Sequence, residues 1–331
     1  MSYKQVGPIR ILTGENNSHV PFCTTLLVEA EDETVLIDCG GGRKVFDYIK
    51  KHHSVDKIYL THYHLDHIWG AYLFEGAEIF INPYDFNKLT DSYELAKANG
   101  VETLYGSQGV EKWVQKQMMN KKAPVNENKP SWGPVIGIAQ HIYPYGRPIN
   151  IAGTTMTAIH APGHTEGFCC PYFPEYGVLF VGDYDLTSFG PWYNDADSDI
   201  DQFIESSQKT LETDAKYYVT AHHKGIFERK EFEVRLYTYI DKIYEREEKV
   251  KKSIQQGIRP KDIVYQEIFY YLINHQQNKN LVKSEIIGIA KHIERLINQG
   301  YEFEDYFQDF ITWHEIQPDA LNYKSKPVNE K

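Results

Sequence analysis

The run HYHLDH at residues 62–67 constrains this chain more than any other feature of its sequence. It lies between a β-branched and aromatic run, KIYLT, and a helical pattern, and its candidate ligands are His62, His64, Asp66 and His67. On an extended stretch, His62 and His64 point to the same side and can share one metal ion. The turn into the helix then carries Asp66 and His67 towards a second ion. Imidazole and carboxylate ligands without thiolate suit Zn²⁺, with Mn²⁺ and Fe²⁺ as alternatives, so the run predicts two divalent transition metals.

Further residues of the same ligand types stand where later strands are predicted to end. His164 lies in the turn APGHTEG, Asp183 follows the buried run VLFV, and His222 follows YYVT. His223 is adjacent to His222 and is the alternative for the same role. Because polar residues at the carboxyl ends of strands meet at one edge of an α/β sheet, we expect these side chains to lie close to HYHLDH.

Short strands separated by turns and helices fill the first two thirds of the chain, which is typical of an α/β fold. The apolar runs TLLVE and TVLID flank the polar EDE turn and predict a hairpin. Further strands are predicted at residues 57–61, 78–82, 156–161, 178–181 and 217–220.

Residues 83–148 follow a different pattern and predict an insertion. Two helical stretches lead there into a segment rich in Lys, Asn, Pro and aromatic residues. An insertion of this size is either a lid or a variable surface loop. Trp132, Tyr143 and Tyr145 favour the lid, because they offer apolar contact surface.

The sequence from residue 229 to 331 predicts a helical domain after a catalytic domain at residues 1–228. Helices are expected at residues 231–256, 261–274 and 284–299. The charge run at residues 241–252 is typical of a solvated helix face. Isoleucines at helical spacing in the last of these helices indicate a core stripe.

Composition argues against a thiolate metal site, a nucleic-acid partner and a membrane location. The four cysteines form no CxxC motif, so we expect buried thiols and no thiolate zinc site. The net charge of −11 argues against a broad nucleic-acid track. The first residues lack the basic and apolar regions of a signal peptide, and no apolar stretch is long enough for a membrane span. We therefore expect a cytoplasmic protein with no membrane partner.

Four runs carry a family resemblance. THYHLDHIWG, APGHTEG, FVGDYD and TAHHKG are similar to motifs of the metallo-β-lactamase-fold hydrolases, and NNSHVPFCTTLLVEAEDETVLIDCGG resembles the opening hairpin of that family. The resemblance covers about residues 10–228. It implies an α/β fold, an αββα sandwich with a dinuclear site along one edge and a C-terminal helical domain. It also implies a first metal bound by His62, His64 and His164, a second bound by Asp66, His67 and His222, and Asp183 as the bridging ligand.

The resemblance implies a hydrolase. Two metals would make a bridging hydroxide available at neutral pH, and Asp66 would hold this nucleophile and accept its proton. The PGHT motif looks closest to the thioesterase-like branch that includes hydroxyacylglutathione hydrolases of the glyoxalase II type and lactonases. The substrate would be a small ester, thioester or lactone. The helical tail loosely resembles that of a β-lactamase-like protein 2 subgroup, one type of which cuts single-stranded RNA. A metal-dependent endoribonuclease, a mononuclear-iron persulfide-type dioxygenase and a non-catalytic metal-stabilised binding module are the alternatives.

The segment after Asp183 is expected to reach the substrate. Its aromatic residues either line the pocket mouth or pack under a loop; they are Phe189, Trp192 and Tyr193. His223 and Lys224 are further pocket candidates, and Lys224 would meet a substrate carboxylate or a surface glutamate. We expect a small-molecule substrate rather than a nucleic acid, and a two-fold homodimer on base rates.

Overall fold

Two stacked β-sheets carry helices on both outer faces in the computed structural model, which describes residues 3–120, 130–223, 225–271 and 280–328. The predicted αββα sandwich is therefore confirmed. Alternation along the strands explains the layers. In the strand TLLVE, Leu26 and Val28 contact the opposite sheet, whereas Leu27 packs towards the outer helices.

The first sheet has seven strands in sequence order: β1 (Tyr3–Val6), β2 (Ile9–Leu12), β3 (Thr25–Glu29), β4 (Thr34–Ile37), β5 (Lys57–Leu60), β6 (Glu78–Ile81) and β7 (His141–Ile142). Strands β3 and β4 form the predicted antiparallel hairpin. Strands β4 to β7 are parallel, so the carboxyl ends of β4, β5 and β6 lie at one edge.

The second sheet has the order β13-β12-β11-β10-β9-β8. Its strands are β8 (Pro148–Ile151), β9 (Thr154–His160), β10 (Cys169–Phe173), β11 (Val178–Gly182), β12 (Tyr217–Thr220) and β13 (Ile226–Glu228). Only β11 and β12 are parallel among these pairs, and their carboxyl ends lie together at one edge.

Helices cover the sheets and make up much of the chain after β13. In chain order they are α1 (Glu15–Ser18), α2 (Arg43–His52), α3 (Leu65–Ile68), α4 (Phe86–Thr90), α5 (Ser92–Ala98), α6 (Val101–Asn120), α7 (Ile200–Lys209), α8 (Arg229–Gln255), α9 (Asn280–Asn298) and α10 (Glu304–Trp313). The short α1 is a turn with left-handed residues, and α6 is interrupted at Gly106. The proposed domain division falls between β13 and α8. Among the described helices, none combines the length and the apolar character that a bilayer span needs.

The structure corrects several expectations for the C-terminal segment. The described part of the helix predicted at residues 261–274 holds only a 3₁₀ turn, Ile263–Tyr265, because Ile263 and Val264 pack into the helical core from that turn. Helix α10 was not predicted. The charge run at residues 241–252 is not uniformly solvated, since Arg246 and Glu247 are buried.

The three aromatic residues that favoured a lid pack against the core of the sandwich instead. Tyr143 and Tyr145 follow β7, and the Tyr143 hydroxyl donates to Leu60 O at 2.6 Å, while the Tyr145 hydroxyl donates to Gly167 O at 2.7 Å. Trp132 packs against the core between the first sheet and its helices. These three side chains therefore serve the sandwich core.

A buried ion triad joins α4 to the segment before α7. Lys88 Nζ lies 2.8 Å from Asp85 Oδ1 and 2.6 Å from Asp197 Oδ2, and all three side chains are inaccessible to solvent. Burial opposes the charge of Lys88, but Asp197 and Asp85 raise its pKa above the ordinary value. Asp197 also accepts a hydrogen bond from the Tyr63 hydroxyl at 3.1 Å, so the triad braces the residue between His62 and His64.

Replacing Lys88 with methionine is expected to destabilise the fold by about 3–5 kcal/mol, because it leaves two buried carboxylates without a cation. Denaturant unfolding followed by circular dichroism measures this free energy. Lys209→Met is the control, since its ion pair with Glu205 is on the surface, and it should change the unfolding midpoint little. Equal midpoint shifts for the two variants would contradict the role of the triad.

Candidate metal centre

Strand ends place the predicted ligands along one edge of the sandwich. His62 comes after β5, and the short helix α3 supplies Asp66 and His67. In the second sheet, three turns or strand ends carry the remaining predicted ligands: His164 after β9, Asp183 after β11 and His222 after β12. Because β5 in one sheet and β11–β12 in the other end at this same edge, residues far apart in sequence meet there.

Asp183 lies at the middle of the group. Its Oδ1 is 2.8 Å from His67 Nε2 and 3.5 Å from His222 Nε2. Its Oδ2 is 2.9 Å from His164 Nε2 and 3.8 Å from His62 Nε2. One carboxylate thus faces four imidazoles.

The candidate ligands fall into two adjacent sets. The first comprises His62, His64, His164 and Asp183, and the second comprises Asp66, His67 and His222. Within each set the candidate ligand atoms lie within 4.8 Å of one another. Asp66 Oδ2 and His222 Nε2, in the second set, are 3.5 Å apart. The structure therefore brings together all seven residues that the sequence predicted as ligands.

Asp38 and Thr61 hold the rings of His62 and His67 from behind. The Thr61 hydroxyl donates to Asp38 Oδ2 at 2.9 Å, so its oxygen accepts from His62 Nδ1–H, also at 2.9 Å. His67 Nδ1–H donates to Asp38 Oδ2 at 2.6 Å. Because each Nδ1 carries a proton, the Nε2 of a neutral ring presents its lone pair to the centre. Asp38 was not predicted as part of the site, although an acidic residue directly after the strand at 34–37 is visible in the sequence.

Backbone carbonyls orient His164 and His222 in the same way. His164 Nδ1–H donates to Trp192 O at 3.0 Å, and His222 Nδ1–H donates to both Ser18 O and Phe22 O at 3.0 Å. A carbonyl oxygen can only accept, so these rings also turn Nε2 towards Asp183.

The residues fit a bound divalent cation. Nε2 of His62, His67 and His164 is buried without a hydrogen-bond partner, as are His222 Nε2 and Asp183 Oδ1. Buried polar atoms in proteins are normally paired, and imidazole lone pairs aimed at a carboxylate repel it unless a positive charge lies between them. Imidazole and carboxylate donors are common ligands of Zn²⁺ and of other first-row transition metals.

His64 is oriented differently from the other four histidines. Its Nε2 lies 3.2 Å from Asp195 Oδ2, at ion-pair distance though outside hydrogen-bond geometry. Asp195 also accepts from Trp192 Nε1–H at 3.0 Å. Since Asp195 occupies the Nε2 side of the His64 ring, Nδ1 is the atom left for a metal.

The pKa values at the centre show that it attracts positive charge. Burial alone would raise the pKa of Asp183, but the surrounding imidazoles, above all that of His67, lower it well below its ordinary value. Burial opposes the protonation of His67, yet Asp183 and Asp38 raise its pKa well above the ordinary value. Metal binding displaces protons from such ligands, and here it would replace one positive charge with another.

Two glycines allow the close backbone approaches that this centre needs. A Cβ on Gly40, in the turn after β4, would lie 1.5 Å from Asp66 O. A Cβ on Gly163 would lie 2.1 Å from Phe203 N, and its φ of 129° is in the region that favours glycine. The backbone positions of Asp66 and His164 therefore require glycine at residues 40 and 163.

A cavity of about 820 Å³ opens over the centre. Phe189 and Trp192 line it, as the sequence predicted, together with Tyr239 and Tyr270 from the C-terminal segment, which the sequence analysis missed. Its size falls within the usual range of small-molecule sites.

Acidic groups dominate the charge of this cavity. Among the described residues its lining includes Asp66, Asp183, Asp185 and Asp195 and no lysine or arginine. Burial raises the pKa of Asp185 to about 6, although His222 and the Thr187 N–H act in the opposite direction. Asp66 and Asp183 belong to the ligand sets, so bound metals would offset their charge, and the described lining offers no lysine or arginine to a larger anionic ligand.

The predictions that Tyr193 and Lys224 line the pocket are not confirmed. Tyr193 is not part of the cavity wall: it is fully buried, and its hydroxyl lies 2.9 Å from His292 Nε2, so its ring packs in the core. The prediction for Tyr193 is therefore wrong, because the chain turns inward directly after Trp192. Lys224 lies outside the described residues.

His223 lines the cavity beside His222 but belongs to neither ligand set. Its ring centroid lies 3.5 Å from that of His19, at the wall. The geometry thus favours His222 of the two candidates that the sequence left open.

Comparisons with known proteins agree with this architecture. Residues 20–84 and 144–222 match the family model described as metallo-beta-lactamase superfamily. A metallo-beta-lactamase family protein from Thermus thermophilus is similar in structure, with a TM-score of 0.59 and 18% identity over 84% of this chain and 89% of that chain. A beta-lactamase domain protein from Burkholderia ambifaria has a TM-score of 0.60 and 14% identity, over 90% of each chain. At these identities the likeness concerns the fold. No curated protein matches the sequence.

The two adjacent histidines provide a matched test of the ligand assignment. His222→Ala is expected to remove one of two bound metal equivalents, because it deletes a donor from the second set. His223→Ala should keep both equivalents. Zinc titration of the metal-stripped variants measures the stoichiometry. The reverse pattern, with loss only in His223→Ala, would make His223 the ligand.

Proposed function

We propose that this chain, which belongs to the metallo-β-lactamase superfamily, is a dinuclear metal-dependent hydrolase that cleaves a small ester, thioester or lactone. The observation that carries the proposal is the set of unpartnered imidazole nitrogens that face Asp183 at the floor of the cavity. Zinc is the metal that we propose, with iron or manganese as alternatives. The assignment to the thioesterase-like branch is part of this proposal.

The two ligand sets would divide the metals between them. His62, His64 and His164 would hold the first, and the second set would hold the other, with Asp183 between them. Two bound metals would supply a water whose pKa falls from about 16 to about 7 and would polarise a substrate carbonyl.

Asp66 is the residue that we propose as proton acceptor. Its side chain is about one-fifth exposed and lines the cavity, whereas its Oδ2 lies 3.5 Å from His222 Nε2. One carboxylate oxygen can therefore take part in the second ligand set while the other receives the proton of the attacking water. The deeper Asp183 lies among four imidazoles and is less suited to that task.

The cavity supports the proposed substrate class. Phe189, Trp192 and Tyr270 offer aromatic surface for an apolar acyl or leaving group, and they exclude water around the scissile bond. Apart from the proposed metals, the described lining holds no lysine or arginine to meet the flanking phosphates of an RNA strand. This electrostatic argument favours an ester, thioester or lactone over RNA. The expected homodimer and cytoplasmic location stay predictions.

Metal content and turnover, measured together, test the proposed function. We expect about two zinc equivalents per chain after growth in zinc-supplemented medium, hydrolysis of members of a panel of esters, thioesters and lactones, loss of turnover on chelation and recovery on adding zinc. One iron with oxygen uptake in the presence of a persulfide would instead establish the dioxygenase. Metal-dependent cleavage of unstructured RNA would establish the nuclease. A folded protein that binds no transition metal would refute all three.

Asp66→Asn tests the proton acceptor and distinguishes an enzyme from a binding module. The amide keeps the shape of the carboxylate but cannot take up the proton, so kcat is expected to fall by about 10²–10⁴-fold. Asp32→Asn, in the exposed turn between β3 and β4, is the control and should leave kcat unchanged. Unchanged turnover in Asp66→Asn, with metals still bound, would rule out Asp66 as the base.

A further inference from the structure

Residues 189–198, which we call the site loop, orient two candidate ligands of the first metal. Trp192 O accepts the hydrogen bond from His164 Nδ1–H at 3.0 Å. Asp195 Oδ2 lies 3.2 Å from His64 Nε2 and accepts from Trp192 Nε1–H at 3.0 Å. The positions of both imidazoles therefore depend on where this loop lies.

The site loop has no helix or strand of its own to fix it. Arg246, from the middle of α8, reaches its first half. Its guanidinium donates to Pro191 O at 2.6 Å, to Phe189 O and to the Tyr193 hydroxyl at 3.3 Å. It also lies 4.4 Å above the centre of the Phe269 ring. Arg246 is only 4% exposed, although it belongs to a run of charged residues.

A second cation from the C-terminal segment holds the other half of the loop. Lys291, on α9, donates from Nζ to Asp195 O at 2.6 Å and to Ser198 O at 2.5 Å, and it lies 3.5 Å from Ala196 O. Lys291 is 4% exposed, and burial lowers its pKa to about 8. Tyr323 N adds a hydrogen bond to Ala196 O at 3.1 Å.

Burying two cationic side chains against backbone carbonyls has a large desolvation cost. Most of the site loop is itself buried, so its backbone carbonyls need donors in place of water, and Arg246 and Lys291 supply them. The anchors come from two different helices of the C-terminal segment, and both contact the loop that orients His164 and His64. Ligand-orienting contacts of this kind set the affinity of metal sites.

We propose that Arg246 and Lys291 are positioning residues of the first metal set, so that the C-terminal helical segment is part of the metal centre. The proposal rests on the metal site of the proposed function. Asp197 at the end of the loop stays held by Lys88, but loss of either cation frees the part at residues 189–195, and the first set then binds its metal more weakly. The second set is oriented by Asp38, Ser18 and Phe22, and none of the described hydrogen bonds of Arg246 or Lys291 reaches it.

Two single-site backgrounds separate the two metals. His222→Ala leaves the first set complete, and His164→Ala leaves the second set complete. Arg246→Met is introduced into each, and zinc affinity is measured by competition with a chromogenic chelator. In the His222→Ala background, we expect Arg246→Met to weaken zinc binding by about tenfold or more. In the His164→Ala background, we expect it to change the zinc affinity by less than about twofold. Cobalt spectra of the same proteins report the ligand geometry independently of turnover.

Matched variants guard against a general loss of stability. Arg235→Met removes an exposed arginine of the same helix, paired with Glu231, and should leave both affinities unchanged. Arg246→Lys keeps a cation but loses the planar fork that spans Phe189 O and Pro191 O, so an intermediate loss is expected. If Arg246→Met does not fold, Gly190→Ala displaces the loop by another route, because its Cβ would lie 2.6 Å from Lys242 Cβ.

The outcomes distinguish a failure of the positioning role from a failure of the proposed function. Equal losses in both backgrounds, or none in either, while the unaltered chain binds two metals, would overturn the positioning role and leave the proposed function intact. Absence of metal from the unaltered folded chain would overturn the proposed function itself.

Discussion

The lone pairs of buried imidazoles face a buried carboxylate at the centre of this molecule, and much of the surrounding structure keeps them there. Asp183 lies within 4 Å of the Nε2 atoms of four histidines, none of which has a hydrogen-bond partner for that atom among the described residues. Such an arrangement is costly without a cation. It is maintained because each ring is fixed from its opposite side by a carboxylate, a hydroxyl or a backbone carbonyl.

These fixing contacts come from distant parts of the chain, which explains why the site needs the whole sandwich. Asp38 follows β4, whereas the carbonyls of Ser18 and Phe22 belong to the segment before β3. The Trp192 carbonyl lies on the site loop, which is itself held by Arg246 and Lys291. Both sheets and the C-terminal helices thus act on one small volume. The C-terminal segment also supplies Tyr239 and Tyr270 to the cavity wall, so it contributes to both the metal centre and the substrate site.

The candidate ligands could be predicted because local sequence determines them. The spacing in HYHLDH and the polar residues that follow strands are local patterns, and parallel strand ends meet by a general rule of α/β sheets. The orienting residues could not be predicted in the same way, since a backbone carbonyl such as Trp192 O has no sequence signature. Arg246 was hidden in a charge run that is typical of a solvated face, and only tertiary packing reveals its burial. The predicted pocket role of Tyr193 and the predicted helix at 261–274 are wrong for a related reason. Short aromatic or apolar runs do not specify which way the chain turns.

Anomalous diffraction at the zinc absorption edge, from crystals of the zinc-loaded protein, tests the central claim most directly. We expect two peaks about 3.5–4 Å apart, the separation usual for two-metal sites. One should lie among His62, His64 and His164 and the other among Asp66, His67 and His222, with Asp183 between them. Ordered crystals with no peak at this edge of the sandwich, or with zinc bound only elsewhere, would contradict the account.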